Sequence, residues 1–103
     1  WGPDYPSLEN YLKPIYSSSA ADSGSNFDKY RSTEFDSLLD KAAAASSTDE
    51  ANSIYQQAEE VLLRDLPSIP IYNVNALGVT TKDLKGVEFN WGGNPVLSFI
   101  TKQ

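Results

Sequence analysis

Ser32-Thr33-Glu34-Phe35-Asp36-Ser37-Leu38-Leu39-Asp40-Lys41-Ala42, and the stretch Ser47-Thr48-Asp49-Glu50-Ala51 to Leu62 that follows it, decide how this chain folds. Phe35, Leu38, Leu39 and Ala42 recur at i, i+3, i+4 and i+7, which places them on one side of a helix. Ser32 stands at the N-cap position, with Glu34 and Asp36 near the positive end of the helix dipole. The run Ala42 to Ala45 continues the helix, and Ser46-Ser47 loosens it. Ser47 and Glu50 then have capping-box spacing, so each side chain is placed to satisfy a free backbone N–H at a new helix start. Ala51, Ile54, Tyr55, Ala58, Val61 and Leu62 form the second apolar stripe. Pro67 ends it, with Arg64 favourable in the last turn. Two amphipathic helices with a short joint make a helical hairpin over residues 34–65.

On either side the pattern changes. Residues 69–74 and 76–81 are rich in apolar and β-branched residues and bounded by breakers, so they read as strands. Residues 86–90 and 96–101 read as two more, joined by a turn over Trp91-Gly92-Gly93-Asn94-Pro95. Before the hairpin, Pro3, Pro6 and Pro14 interrupt any long helix. That leaves a short helix around Leu8 to Leu12 and an exposed polar loop from Ser17 to Asn26. The expected class is α+β: a helical hairpin plus short β-strands.

Composition narrows the chemistry. The 103 residues suit about one domain, with 40% hydrophobic and 21% charged residues, so most of the chain is expected to be ordered. A net charge of −6 without a basic cluster disfavours nucleic acid and anionic lipid as partners. With no Cys and no His, disulfides, zinc sites, thiol catalysis and His-based triads are excluded. No metal or cofactor is called for. No run approaches the length of a membrane-spanning helix. The chain opens on Trp1 and has no Met, so it is expected to be a piece of something longer.

Paired carboxylates are weighed first, because two of them suffice for a glycosidase. Asp36 with Asp40 and Glu59 with Glu60 are expected on solvated helix faces, where such charges are ordinary. Asp22-Ser23-Gly24-Ser25-Asn26 has a superficial likeness to a calcium loop, but Thr33 occupies the twelfth position, where an EF-hand needs Glu. Trp1, Tyr5, Tyr11, Tyr16, Phe27 and Tyr30 crowd the first thirty residues. They suit stacking on a ligand or filling a core shared with further chain, and composition leaves both open. Asp4, between Pro3 and Tyr5, is expected to be half-buried, with either a ligand amine or a Lys or Arg of the protein as its partner.

The order of motifs resembles the family 5 extracellular solute-binding proteins, the oligopeptide- and dipeptide-binding components of ABC importers. Trp1-Gly2-Pro3-Asp4-Tyr5-Pro6 is similar to that family's W-x-A-D-Y-P. Asn26…Tyr30 and Ser32-Thr33-Glu34-Phe35-Asp36-Ser37-Leu38-Leu39 are similar to its N…Y…N-P-E-F-D-x-L-L. Ile54-Tyr55-Gln56-Gln57-Ala58-Glu59 follows L-Y-x-x-A-E, and Asp65-Leu66-Pro67-Ser68-Ile69-Pro70-Ile71-Tyr72 follows D-x-P-x-I-P-L-Y. Three departures stand out. Pro3 removes a backbone N–H, Ala51 replaces a commonly basic residue, and Ser7-Leu8 replaces Asp-Pro.

The resemblance implies a fragment of a two-lobed periplasmic-binding-protein-like fold (type II, cluster C). Residues 1–72 would form part of the second lobe, with a pocket segment at 1–33 and the helical hairpin at 34–65. Residues 73–103 would hold the crossover and return strands to the first lobe. It implies a binding protein rather than an enzyme, capturing peptides outside the cytoplasm, in the periplasm or on the cell surface, with lipid anchoring through a preceding N-terminus as one option. Asp4 would receive the peptide's α-amino group. Trp1, Gly2 and Tyr5 would line the pocket, Gly2 through its backbone. The implied partners are the peptide and the membrane permease subunits, and the isolated piece is expected either to self-associate or to have a mobile first 30 residues, without measurable peptide affinity. The alternatives are another solute on the same fold (oligosaccharide, nickel complex, haem or glutathione) or an unrelated carboxylate-dependent hydrolase.

Overall fold

The computed structural model describes residues 1–103 except Pro3 and Ala76. The expectations for the missing amide of Pro3 and for the first residue of the 76–81 strand lie outside the described residues. The chain divides into two compact units, one taking in Trp1 and Pro3–Pro70, the other Gly2 and Ile71–Gln103.

The first unit is helical. In chain order it holds α1 (Glu9–Tyr16), α2 (Ala20–Ser23), α3 (Thr33–Ala43) and α4 (Thr48–Asp65). The hairpin α3–α4 forms as its periodicity requires. Phe35, Leu39 and Ala42 from α3 and Ile54, Tyr55, Ala58 and Val61 from α4 are buried against one another, with Leu12 of α1 completing the cluster. Phe35 is wholly buried, and Tyr16 and Tyr30 meet its ring edge-on at centroid distances of 6.5 and 6.0 Å. Removing a side chain of that size from water stabilises the unit by about 1.5–3 kcal/mol.

Both helix starts are capped by serine. Ser32 Oγ accepts from the Phe35 amide and Ser47 Oγ from the Glu50 amide, each at 3.2 Å. The reciprocal half of the second cap differs from expectation. Glu50 Oε2 accepts from the amide of Ser46 (3.0 Å) and its hydroxyl (2.8 Å), one residue earlier than a capping box reaches. Helix α4 ends at Asp65 with Leu66 in the left-handed region (φ 48°), where its amide donates to the Leu62 carbonyl at 2.7 Å.

Two expectations for the N-terminal region are corrected. Helix α1 does not stop near Leu12 but runs through Pro14 to Tyr16. Proline leaves one carbonyl of the preceding turn without its intrahelical donor. The packing of Leu12 and Tyr16 against the α3–α4 core outweighs that loss. The tract 17–26 is not an exposed loop either. It contains α2, and Ser17, Ala20, Ala21 and Asn26 are buried. Asn26 explains why so polar a tract goes inside. Its Nδ2 donates to the carbonyls of Ser17 (3.0 Å) and Tyr30 (2.8 Å), and its Oδ1 accepts from the Tyr30 amide (3.1 Å). A buried amide satisfied on all sides replaces water at little cost.

The second unit is mostly irregular. Strand β1 (Leu84–Lys85) pairs antiparallel with β2 (Thr101–Lys102), Leu84 opposite Lys102 and Lys85 opposite Thr101. Phe89 and Pro95 form an isolated bridge. The 91–95 turn is present, tied by Asn90 Oδ1, which accepts from the amides of Gly92 and Asn94 at 3.0 Å each. Gly93 takes a positive φ of 76° there. Gly86 also has positive φ (69°), and a Cβ on it would lie 2.1 Å from the Phe99 carbonyl oxygen.

The strand expectations are largely overturned. Residues 69–74 and 77–81 carry no ladder, and Ile71, Tyr72, Val74, Leu77 and Val79 are exposed. Apolar, β-branched composition marks a segment fit for a sheet, but a strand exists only where another backbone pairs with it. Among the described residues none does. The 86–90 strand reduces to the single bridge at Phe89, with pairing shifted to Leu84–Lys85. The 96–101 strand is interrupted by a 3₁₀ turn at Leu97–Phe99. Among the described residues the class is α+β, with four α-helices and a two-stranded sheet.

Candidate functional site

The residues singled out near the N-terminus gather around one buried side chain. Helix α1 presents Asn10, only 4% exposed, towards the preceding segment. Asn10 Oδ1 accepts from the Asp4 amide at 2.9 Å and from Trp1 Nε1 at 3.4 Å. Its Nδ2 reaches Asp4 Oδ2 at 3.5 Å. Trp1, Asp4, Tyr5, Glu9, Asn10 and Lys13 line one wall of an open cleft of about 480 Å³, whose other side is built from the 17–24 tract.

Asp4 is exposed, not half-buried. Among the described residues its carboxylate has no cationic partner within salt-bridge distance. The neighbouring acid is engaged. Glu9 is bonded to the Tyr5 hydroxyl and lies 3.9 Å from Lys13 Nζ one helical turn on. The bond to the Glu9 carboxylate holds the Tyr5 phenol above its ordinary value. The cleft therefore offers one uncommitted carboxylate beside an indole, the chemistry of a site for an organic cation or ammonium group. Gly2 is exposed and an added Cβ there would meet nothing within 4 Å. Gly2 is not among the residues that line the cleft.

Of the other aromatics, Tyr16 and Tyr30 pack on the hairpin core, while Trp1, Tyr5, Tyr11 and Phe27 are exposed. Asp22, raised as a calcium-loop residue, pairs with Arg31 at 2.5 Å, and Asn26 turns its amide to two carbonyls. Among the described residues no three His, Cys, Asp or Glu side chains cluster as metal ligands. Asp36, expected on a solvated face, instead accepts from the Ser18 amide at 3.0 Å and ties the 17–20 turn to α3.

A larger groove of about 580 Å³ runs along the outer face of α3 and α4. Of the four charged side chains that line it, Glu34 and Arg64 are committed to each other, while Lys41 and Glu60 stand outside that network. Arg64 holds Glu34 through two nitrogens (2.7 and 3.3 Å) and Asp65 through Nε (3.0 Å), and the Tyr30 hydroxyl donates to Asp65 at 2.7 Å. The Arg64 guanidinium keeps the Glu34 carboxyl below its usual range. Asp65 is lowered first by the Tyr30 hydroxyl and then by Arg64, while burial raises Tyr30.

Asn10 is the residue that sequence reasoning missed. Its signal was available: an amide in the first turn of a short helix, two residues before the buried Leu12, needs partners if it is to be buried.

No family model matches the chain. Comparison with curated proteins finds relatives along its whole length. The chain is 32% identical over 93 residues to the peptide transport periplasmic protein SapA of Haemophilus influenzae, covering 90% of this chain and 16% of that protein. It is 30% identical over 90 residues to di/tripeptide-binding protein 4 of Pseudomonas aeruginosa, covering 87% and 17%. It is 28% identical over 86 residues to heme-binding protein A of Haemophilus influenzae, covering 84% and 16%. The chain thus spans about a sixth of the length of these relatives, which are named for binding and transport rather than catalysis.

Proposed function

We propose that the chain, similar to the peptide transport protein SapA and to di/tripeptide-binding protein 4, is one segment of a family 5 extracellular solute-binding protein, a peptide-binding protein that serves an ABC importer outside the cytoplasm, in the periplasm or at the cell surface. Residues 1–72 contribute to the second lobe of a two-lobed clamshell, and residues 73–103 to the crossover and return strands of the first. Its partners are a peptide and the membrane permease. Among the described residues no helix is long and apolar enough to cross a membrane. The function is capture without covalent chemistry. One charge-assisted bond fixes the ligand's terminus, the remaining contacts tolerate varied side chains, and lobe closure marks the loaded state.

The observation that carries this reading is the uncommitted Asp4 carboxylate beside Trp1 in the cleft. An ammonium group supplies the counter-charge that no described side chain provides. Trp1 and Tyr5 line the same wall. Gly2 contributes through its backbone once the rest of the pocket is in place.

The test is calorimetry on the full-length protein with a short peptide, free or N-acetylated, against the unsubstituted protein and Asp4→Asn. A hydrogen bond to a charged group contributes about 1.5–3 kcal/mol. Each change alone should therefore lower affinity by about ten- to a hundredfold. Together they should cost far less than the product, because they remove one shared interaction. Losses that simply multiply, or an Asp4→Asn protein that binds normally, would refute the assignment. The haem-binding relative favours a second reading, in which the same fold takes a different solute. Mass spectrometry of ligands co-purified with the full-length protein decides between them.

A further inference from the structure

We infer that Asn10 is the positioning residue of this site, holding the Asp4 carboxylate and the Trp1 indole in register for the ligand; the inference rests on the peptide-binding reading above. Asp4 and Trp1 belong to an exposed, irregular segment with no ladder or helix of its own. A carboxylate on such a segment samples many directions, and ordering it at the moment of binding opposes affinity. Asn10 removes that freedom. One carboxamide oxygen takes both the Asp4 amide and the Trp1 indole N–H, and the amide nitrogen of the same group faces Asp4 Oδ2. Backbone, carboxylate and indole are thereby referred to one rigid point on α1.

The contrast with Asn26 shows what a purely structural asparagine looks like in this chain. Asn26 is as deeply buried, and its bonds run to the Ser17 and Tyr30 backbone, not to Asp4 or Trp1. The side-chain bonds of Asn10 run instead to the two residues offered to the ligand. Burying an amide within a helix is unfavourable unless its partners repay the desolvation, and these partners are functional groups rather than core.

The full-length protein tests this with the same peptide, free and N-acetylated. Asn10→Ala should weaken binding of the free peptide by about tenfold or more while moving the acetylated peptide less than about threefold. In an Asp4→Asn background it should add less than about threefold, because Asn10 acts through Asp4. Ser47→Ala, which removes the cap of α4 and lies outside the cleft lining, is the control, expected to lower Tm and to change affinity by less than about threefold. A free-peptide affinity unchanged by Asn10→Ala, where Asp4→Asn does lower it, overturns the inference and leaves the peptide-binding reading standing. An inert Asp4→Asn removes both. Should Asn10→Ala not fold, hydrogen exchange at the Asp4 amide of the unsubstituted protein is the deciding measurement. Protection of about tenfold or more is expected from its bond to a buried acceptor, and exchange at the unprotected rate refutes the inference.

Discussion

Exchanging Asn26 for Asp changes one nitrogen to oxygen at almost constant volume, in a side chain that is 1% exposed. The new carboxylate still accepts from the Tyr30 amide. Its second oxygen, however, faces the Ser17 and Tyr30 carbonyls, where Nδ2 now donates at 3.0 and 2.8 Å. Ionised, it repels both. Protonated, it satisfies one and leaves the other without a donor. Burial and two facing acceptors raise the folded-state pKa well above the unfolded value of about 3.9, by up to about 3–5 units for a fully buried group. The sign follows from proton counting. Between the two pKa values the folded state holds a proton that the unfolded state has released, so stability falls as pH rises. Near pH 4 the variant loses about 1–3 kcal/mol for the orphaned carbonyl. A rise of about 3 units adds roughly 4 kcal/mol more by pH 7 and then levels off. Asn26→Ala should cost a few kcal/mol with no such slope, for the three bonds lost. Urea denaturation followed by far-UV circular dichroism from pH 4 to 8, with each variant referred to the unsubstituted chain, measures the difference. A pH-independent loss for Asn26→Asp, or a loss under about 1 kcal/mol at pH 7, would refute the account of Asn26 as a two-donor hub.

Phe35→Ala should destabilise the helical unit by about 3–5 kcal/mol, near the limit of what a small domain tolerates, read as a shift of the urea midpoint. The Glu34 and Asp65 carboxyls are held below their ordinary values of 4.5 and 3.8, so their contribution is present above those values and lost as pH falls through the lower folded ones. Arg64→Met should flatten that acid limb of the stability curve, and an unchanged limb would show the ion pairs to be inert. Gly86→Ala forces a Cβ into the Phe99 carbonyl at positive φ. It should abolish exchange protection of the Gln103 amide, which bonds the Asp83 carbonyl beside the β1–β2 pair at 2.9 Å.

What could be read from the residues alone was what is local. The stripe of Phe35, Leu39 and Ala42, the opposing stripe from Ile54 to Val61, and the serine caps depend on spacings of three or four residues, and they formed nearly as read. The strands did not, because pairing depends on a second backbone. Ile71 and Val79 look the same in sequence whether or not one is present. Pro14 misled in the opposite direction, since a breaker's local cost was outweighed by contacts of Leu12 and Tyr16 with residues nineteen and more positions away. In the site, Asp4, Trp1 and Tyr5 were visible through motif order. Asn26 stood in the quoted motif and Asn10 in the first turn of the short helix, but nothing in a polar residue's neighbours says which distant segment its amide will serve.

The exposed run 71–75 has a consequence of another kind. Many proteases bind substrate as an extended strand laid along the enzyme's own backbone, with alternate side chains filling pockets. Residues 71–75 carry no ladder bonds that would have to break first, and Ile71, Tyr72 and Val74 are exposed. An enzyme that cleaves after aromatic residues therefore needs no local unfolding to cut at Tyr72. The capped helices of the first unit, in contrast, open only at the expense of their core. Limited digestion would divide the chain close to the boundary between its two units, and the helical unit would survive as the resistant product.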